Sequence, residues 1–469
     1  MVFSNPSFLY YFLPATLIIY FLTPMPKGSP RLRNVTLLVA SLVFYAWGEP
    51  RYVFLMIAQC IVAWGFGLLI EKFRGKRAAK VFMLISVGVS LSGLIYFKYA
   101  NFFISNINNF TNSNLRLISL LMPIGISFYT FQLVSYTMDV YRGQTGAQRN
   151  VLDFSTFVAS FPQLIAGPIV RYTDIAKALT SRVHSWQRFA MGIRRFIIGL
   201  GKKMLLANLF GELVEIYKMS GDQSVLFTWI YLVAFSMQIY FDFSGYSDMA
   251  IGLGHVFGFK FPENFNYPYI AGSITNFWRR WHMTLTGWFR DYVYIPLGGN
   301  RVKPLKHILN ILIVWMITGF WHGADWNFIL WGSYFGVVML VEKFLIGRLL
   351  ERAPRVFRHI YVWLIIFVSW VFFDAMSFEM AFEGLGRMFG TGAVMFAGSE
   401  ALYYLRSYAV PFLIGIVGVT PFIRSMAFKL EKKNRLVTVL EPIALAAILF
   451  FSTAAMVDGT FNPFIYFRF

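Results

Sequence analysis

Two histidines lie in tryptophan-rich, apolar stretches of this sequence and are its first candidates for chemistry. His322 stands in TGFWHGADW (318–326), and His282 stands in NFWRRWHMTLTGWFRD (276–291). A neutral imidazole, with an ordinary pKa of about 6.5, can take a proton from a hydroxyl at neutral pH. The other four histidines lie near basic or loop sequence and are interpreted as solvated or structural: His184, His255, His307 and His359. From the residues alone, His322 is a candidate general base, and the reaction stays open.

Two glycines, Gly319 and Gly323, flank His322. They leave the backbone around it open, as a close approach of a substrate would require. A single histidine on an apolar face more often has a structural role, but His282 and His322 flank one broken region, which favours function. The functional interpretation requires that the ring of His322 be reachable through a channel from an aqueous face.

Two carboxylates stand in the apolar run YFDFSGYSD (240–248). Ionisable residues at membrane depth are costly and face a partner or a cavity, so Asp242 and Asp248 are functional candidates. The alternative is a structural ion pair with Arg279 or Arg280, which we favour over direct catalysis. On either interpretation these carboxylates, with the neighbouring Ser244, support the site.

The segment 276–291 mixes arginines with aromatic residues at helical spacing. Four apolar residues repeat at i, i+4, i+8 and i+11 and predict one apolar stripe on a helix: Phe277, Trp281, Leu285 and Trp288. Arg279, Arg280 and Arg290 lie off that stripe. One interpretation is an interfacial helix whose arginines reach toward lipid phosphates. The other is that the same arginines hold a phosphate-bearing donor.

The motifs of several other enzyme classes are missing. The sequence has no HExxH, no G-x-S-x-G, no Walker A loop and no G-x-G-x-x-G. The single cysteine, Cys60, excludes an internal disulfide framework and a cysteine-based zinc site. Two histidines 40 positions apart support zinc poorly. We therefore predict no metal and no bound cofactor.

The composition indicates which elements must position these residues. Of the 469 residues, 57% are hydrophobic and 14% are charged, whereas soluble domains carry about 25% charged residues. At about 20 residues per crossing, the apolar residues suffice for roughly ten spans. The net charge of +20 would suggest nucleic acid in a soluble protein. Here the basic residues cluster between apolar runs, which indicates cytoplasmic loops of a polytopic membrane protein and no nucleic-acid partner.

Thirteen apolar runs are candidate spans. We predict about eleven full crossings plus re-entrant or interfacial helices, because Pro123 and Gly125 break the fifth run and Pro162 breaks the sixth. Backbone breaks survive at membrane depth only where protein or a watery cavity satisfies the freed groups. The runs lie at 7–24, 34–49, 52–70, 81–98, 117–138, 151–168, 190–217, 225–250, 306–322, 326–345, 360–376, 408–423 and 436–457.

The distribution of basic residues predicts the orientation. Residues 1–11 lack the basic segment of a signal peptide, so we interpret the first run as a span. Basic clusters follow the first and third runs (27–33 and 72–80), whereas the loop between the second and third runs is nearly neutral. The positive-inside rule then places the N-terminus outside. The basic cluster at 424–435 places the C-terminus outside as well.

Several of these motifs together resemble the membrane-bound O-acyltransferase family, in particular its bacterial alginate O-acetyltransferase branch. The runs that carry the resemblance are LIAGP (164–168), YFDFSGYSDMAIG (240–252), FWRRWH (277–282), WFRDY (288–292), WHG (321–323) and, for that branch, MVFS (1–4) and FYAW (44–47). The resemblance extends over nearly the whole chain.

The resemblance implies an all-α membrane protein, with helices of uneven length around a central membrane-embedded funnel. It implies one domain over 1–469, a catalytic core near 120–345 and no soluble domain. It also implies an acyltransferase that takes an acetyl group from a cytoplasmic thioester, acetyl-CoA or another acetyl thioester, for an acceptor outside. His322 matches the principal catalytic histidine of the family. His282 matches its second polar position, which supports the active site. From their charge and location, and not from the resemblance, Arg279 and Arg280 are candidates for contact with donor phosphates, and Trp281 is a candidate for site support.

The resemblance also suggests partners. A similar aromatic C-terminus, here FIYFRF (464–469), occurs on a small partner of the related D-alanyl transfer system, where a tyrosine carries the acyl group. Tyr466 is therefore a candidate acyl acceptor, relieved of its acetyl group by an extracytoplasmic transferase with a serine nucleophile. The alternative is an aromatic anchor at the membrane interface. The final acceptor would be an exported polymer: alginate, another exopolysaccharide or peptidoglycan.

A transporter or flippase for an acylated lipid or polymer is the rival function, with His322 and the carboxylates as a proton relay. Secondary transporters often show paired half-repeats with matching broken helices. Here each histidine motif occurs once and has no counterpart in the other half of the chain. The sequence therefore favours the enzyme.

Overall fold

The computed structural model describes residues 2–119, 121–165, 167–391, 395–431, 436–459 and 464. Within these ranges the regular elements are helices and no β-strand occurs, which confirms the all-α class. In the same ranges seven helices are long and apolar enough to cross a membrane. A further bent pair, Ser399–Ser407 and Ala409–Gly418, would make an eighth span. The polytopic membrane fold is confirmed, and the figure of about eleven crossings stays a prediction.

The chain divides into two compact units. Unit 1 comprises Met1–Phe196 and Tyr246–Glu263, and unit 2 comprises Ile197–Gly245 and Asn264–Phe469. The chain passes from one unit to the other within α10 (Trp186–Gly201) and within α12 (Val225–Val256). Both candidate histidines fall in unit 2. The single domain expected over 1–469 stays a prediction.

Unit 1 is organised around the buried helix α6 (Ile126–Arg142). The structure places a break before α6 at Gly125, which has a φ of +77°, and ends α7 before Pro162, as the sequence predicted. An added Cβ at Gly125 would lie 2.7 Å from the Leu164 carbonyl oxygen, so only glycine permits this approach. The helices before α10 are α1 Leu13–Leu22, α2 Arg31–Gly48, α3 Tyr52–Lys72, α4 Arg77–Leu94, α5 Ala100–Thr111, α6 Ile126–Arg142, α7 Val151–Ala159, α8 Phe161–Leu164 and α9 Tyr172–Thr180.

A half-buried histidine of unit 1 is held in its neutral form. The Arg33 guanidinium donates to Nδ1 of His184 (3.3 Å), so that nitrogen carries no proton. Nε2 then donates to the Tyr20 hydroxyl (3.0 Å), which donates to the Phe257 carbonyl (3.0 Å). Burial, together with the positive charges of Arg182 and Arg33, lowers the pKa of His184 from its ordinary 6.5 to about 4.

Unit 2 contains the helices that carry the candidate site. Two of them, α15 (Pro304–His322) and α16 (Trp326–Val341), form a close antiparallel pair because glycines remove side chains from the crossing. The helices after α10 are α11 Asn208–Met219, α12 as above, α13 Ile274–Trp278, α14 Met283–Phe289, α15 Pro304–His322, α16 Trp326–Val341, α17 Gly347–Arg352, α18 Arg355–Asp374, α19 Phe378–Phe389, α20 Ser399–Ser407, α21 Ala409–Gly418, α22 Phe422–Glu431 and α23 Leu436–Asp458.

The prediction of one continuous helix over 276–291 is wrong. Helix α13 ends at Trp278, and α14 begins at Met283. Between them His282 adopts the left-handed conformation (φ 42°, ψ 52°), which an α-helix cannot accommodate. The four residues of the expected apolar stripe are nevertheless all buried. The apolar pattern therefore predicted burial correctly, whereas the backbone turn was not visible in it.

Candidate active site

His322 is the last residue of α15 and is buried among aromatic rings. Its imidazole centroid lies 5.0 Å from that of Trp321, 5.0 Å from that of Trp331 and 5.8 Å from that of Phe373. The Trp331 and Phe373 rings stand edge-on to it. Because only 4% of His322 is exposed, its surroundings are a packed aromatic shell.

The glycines beside His322 serve helix packing, which corrects the interpretation that they leave room for substrate. An added Cβ at Gly319 would lie 2.0 Å from the Phe328 carbonyl oxygen, and one at Gly323 would lie 2.1 Å from the Phe328 ring. Gly332 has the reciprocal role, because its Cβ would lie 2.2 Å from the Trp315 carbonyl oxygen. Helices α15 and α16 fill the space that these glycines leave.

His282 is also buried and lies near Trp321. The Trp321 ring centroid is 6.1 Å from that of His282, so this tryptophan contacts both histidines. Phe243 of α12 stands edge-on to His282 at 4.7 Å. Nδ1 of His282 is 3.1 Å from the Asn264 side-chain oxygen. The structure therefore brings His282 and His322 into one aromatic cluster.

A cavity of about 1250 Å³ lies beside this cluster in unit 2. Its basic side chains are Arg279, Arg290, Lys343 and Arg358, and its acidic ones are Glu342 and Glu351. Glu342 accepts hydrogen bonds from the backbone N–H (2.9 Å) and hydroxyl (2.7 Å) of Thr275 at the start of α13. A hydrogen bond to Asp291 raises the pKa of Arg290, which stays charged. The cavity can receive an anionic ligand with an apolar part, because Trp278, Trp315 and Phe289 also line it.

Neither histidine is among the residues that line this cavity, although Met283 and Thr318, one position and one helical turn away, do line it. Trp278 separates the cavity from the histidine cluster: its ring lies 5.8 Å from that of Trp331, which contacts His322. Among the described residues, this cavity therefore does not reach His322, and the open path that the sequence interpretation required stays a prediction. The indole rings of Trp278 and Trp331 lie between the cavity and the imidazole.

Asp242 is buried and Asp248 is partly buried, and each has a partner other than the predicted ones. Asp242 pairs with Lys203 at 2.8 Å, within unit 2. Asp248 pairs with Arg195 at 2.8 Å, within unit 1. Arg279 instead lines the cavity. Asp242 and Asp248 thus form ion pairs, as the structural interpretation predicted. The expectation that Arg279 or Arg280 would be the partner was wrong.

The remaining predicted residues have structural positions. Arg280 donates from Nε to the Asn276 side chain (3.0 Å) and from Nη1 to the Asn266 carbonyl (3.0 Å). Trp281 is buried and stacks on Phe277 at 5.5 Å. Ser244 is buried on α12.

Tyr466 lies outside the described residues. Phe464, two positions before it, is described: it is buried, and its ring lies 5.6 Å from that of Phe243. Since Phe243 also contacts His282, this part of the C-terminal segment lies close to the histidine cluster.

Comparison with known proteins identifies the family. A model of the membrane-bound O-acyltransferase family matches residues 146–378. A probable alginate O-acetylase of Azotobacter vinelandii is 42% identical over 397 residues, 84% of this chain and 79% of the relative. The chain belongs to the membrane-bound O-acyltransferase family.

Two further relatives of this O-acyltransferase are also bacterial. A probable alginate O-acetylase of Pseudomonas aeruginosa is 41% identical over 397 residues, 84% of this chain and 75% of the relative. A peptidoglycan O-acetyltransferase of Helicobacter pylori is 35% identical over 430 residues, 84% of this chain and 81% of the relative. The chain is thus a multi-pass membrane O-acyltransferase, and its bacterial relatives support a location in the cytoplasmic membrane.

Two residues of this O-acyltransferase site were missed by the sequence reasoning. Lys203 stands in the apolar run 190–217, and an intramembrane lysine is a signal that could have been followed. Asn264 stands in the aromatic stretch 261–269, where nothing in the spacing connects it with His282. Tertiary structure alone brings Asn264 to the imidazole.

Proposed function

We propose that this O-acyltransferase transfers an acetyl group from a cytoplasmic thioester for O-acetylation of an exported polysaccharide, with His322 as the base. The polysaccharide is alginate-like or a cell-wall glycan, as the names of its relatives suggest. The observation that carries the proposal is the series of ring contacts from Trp278 to Trp331 to His322. These contacts connect the basic cavity with the His322 imidazole through two indole rings.

The cavity is proposed as the donor site. An acetyl-CoA donor carries phosphates that Arg279, Lys343 and Arg358 can bind, as guanidinium and ammonium groups do elsewhere. Basic residues at the adjoining helix ends support a position of this cavity on the cytoplasmic side of the membrane: Arg301, Lys303, Lys306, Arg348, Arg352 and Arg355. This orientation agrees with N- and C-termini on the outside.

The chemistry is a base-assisted acyl transfer. His322 takes the proton from an acceptor hydroxyl, the hydroxyl oxygen attacks the thioester carbon, the C–S bond breaks, and the proton leaves with the thiol. The imidazolium that forms is stabilised by its place at the C-terminal end of α15, where the helix dipole favours positive charge. For the thioester to reach His322, the rings of Trp278 and Trp331 must move apart. His282, which also contacts Trp321, supports the site.

Tyr466 is proposed as the first acceptor. The burial of Phe464 against Phe243 supports this role, because two residues of extended chain span only about 7 Å. That distance is sufficient to bring the Tyr466 hydroxyl near the histidine cluster. An extracytoplasmic transferase with a serine nucleophile would then take the acetyl group from the tyrosine ester and pass it to the polymer.

One substitution separates this enzyme from the rival transporter or flippase. His322→Ala, at matched membrane levels, should abolish acetylation of the polymer while its export continues. Loss of export together with acetylation would favour the transporter. Acetylation at the wild-type level would contradict the role of His322.

A further inference from the structure

Asn264 makes several contacts with the segment that carries His282. Its backbone carbonyl accepts the N–H of Met283 (2.9 Å), and its side-chain oxygen lies 2.8 Å from the Thr284 hydroxyl and 3.1 Å from Nδ1 of His282. Two residues on, the backbone N–H of Asn266 donates to the carbonyl of Arg280 (2.9 Å). Asn264 itself is fully buried. A short stretch of chain therefore brackets His282 from both sides.

The orientation of the Asn264 amide determines which nitrogen of His282 carries the proton. The backbone N–H of Thr284 points at the same side-chain atom of Asn264 (3.4 Å). A backbone N–H can only donate, so this atom is the carbonyl oxygen, which can only accept. Nδ1 of His282 must therefore carry a hydrogen to bond with it. In the neutral ring, Nε2 then presents its lone pair.

We propose that Asn264 is a positioning residue for acyl transfer: it holds His282 as the Nδ1–H tautomer, with Nε2 as the proton- or hydrogen-bond-accepting atom. This inference rests on the proposed role of His282 and deepens it.

The same contacts hold the unusual backbone of His282. A non-glycine residue in the left-handed region is sterically disfavoured, and the hydrogen bond from Met283 to Asn264 lies immediately after it. The left-handed turn directs the chain out of α13 and into α14 and places the imidazole against Phe243 and Trp321. These two rings carry no charge. An ionised group introduced at position 264 would therefore act on His282 directly.

Two substitutions test the proposal on purified full-length protein in lipid nanodiscs, with radiolabelled acetyl-CoA as the probe. Asn264→Leu removes the acceptor, and transfer should fall by about 10²-fold or more at every pH, as expected for a wrong tautomer. Asn264→Asp keeps the acceptor but adds a charge that stabilises the imidazolium. The acid limb of its pH–rate profile should move up by about one unit or more, with activity recovering at alkaline pH.

A matched control is Asn310→Leu. Asn310 is equally buried in unit 2 and donates to the carbonyls of Leu297 and Gly299. It has no part in the cavity or the histidine cluster, so its substitution should lower stability and leave the pH profile unchanged. A merely structural Asn264 would behave in the same way, and an Asn264→Asp profile that is lowered equally at every pH would overturn the proposal.

The His282→Ala variant distinguishes failure of this inference from failure of the proposed function. If His282→Ala transfers acetyl normally, the role of His282 itself fails. If His282→Ala is inactive while Asn264→Leu remains within threefold of wild type, only the positioning role fails. Nitrogen NMR of wild-type protein with labelled histidine, assigned with a His282→Gln sample, needs no Asn264 variant to fold. It should show the Nδ1–H tautomer, and an Nε2–H tautomer would overturn the proposal.

Discussion

The Lys203 ammonium lies 2.8 Å from the Asp242 carboxylate, in a pair whose side chains are 5% and 2% exposed. Lys203 belongs to the π-helical turn Lys202–Ala207, which interrupts the regular helix between α10 and α11. In the same unit, an added Cβ at Gly245 of α12 would lie only 2.7 Å from the carbonyl oxygen of Gly199 in α10. Glycine at position 245 therefore permits the close approach of α10 and α12. The π turn and the glycine together bring the two charges into contact.

Breaking this pair should destabilise the protein more than removing it altogether. Lys203→Met leaves the Asp242 carboxylate buried without its ammonium, and we expect a loss of about 3–5 kcal/mol in the free energy of unfolding. The double variant Lys203→Met with Asp242→Leu should recover most of that loss. Chemical unfolding in detergent measures both values. A Lys203→Met variant within about 1 kcal/mol of wild type would contradict a fully desolvated pair.

Acid should weaken unit 1 through His184. Its pKa is about 4 in the folded state and 6.5 when unfolded, so the folded protein favours the neutral ring. The stability it contributes is complete above pH 6.5 and is lost as the pH falls toward 4. We expect a loss on the order of 1 kcal/mol after solvent screening. The His184→Gln variant should show a smaller decrease between these pH values, and an identical decrease would assign the effect to other groups.

Two adjacent arginines should behave differently. Arg279 lines the cavity, so Arg279→Gln should raise KM for acetyl-CoA by about 10–100-fold with little change in kcat, since one charge-assisted hydrogen bond is worth about 1.5–3 kcal/mol. Arg280 is bonded to Asn276 and Asn266. Arg280→Gln should therefore leave KM unchanged and lower the unfolding midpoint. Steady-state kinetics in nanodiscs measures both, and equal effects on KM would contradict the assignment of the cavity.

The proposed role of Tyr466 as acyl acceptor can be tested by removing its hydroxyl oxygen. Tyr466→Phe keeps the aromatic ring and removes only the hydroxyl. If Tyr466 accepts the acetyl group, polymer acetylation should fall to background, and mass spectrometry of the wild-type C-terminal peptide should reveal an acetylated fraction. Persistence of normal acetylation in Tyr466→Phe would contradict the role of Tyr466 as acyl acceptor.

The long apolar helices could be predicted from the sequence because lipid demands continuous apolar runs. The run 306–322 became α15, and the run 436–457 became α23. Chain breaks at Gly125 and Pro162 were also visible, since glycine and proline act on the backbone locally. Structural effects that a residue has within its own segment can thus be predicted from the sequence.

Contacts between distant segments could not be predicted in the same way. The partners of Asp242 and Asp248 lie far from them in sequence, and charge alone did not distinguish Lys203 from Arg279. The left-handed turn at His282 could not be predicted from the apolar pattern, because the buried side chains before and after it keep a helical spacing. The sequence singled out Gly319 as a position where the backbone is closely approached. It did not show that the approaching group is the carbonyl of Phe328.

In the proposed mechanism, the His322 imidazole is the base for acetyl transfer. The most direct measurement is the acetyl label that purified protein in nanodiscs transfers from radiolabelled acetyl-CoA. His322→Ala is compared with His359→Gln, which removes a histidine of the same unit that bonds the Ala271 carbonyl. Transfer should fall by about 10²–10⁴-fold in His322→Ala and stay near wild type in His359→Gln. Equal transfer by His322→Ala and wild type would contradict the account.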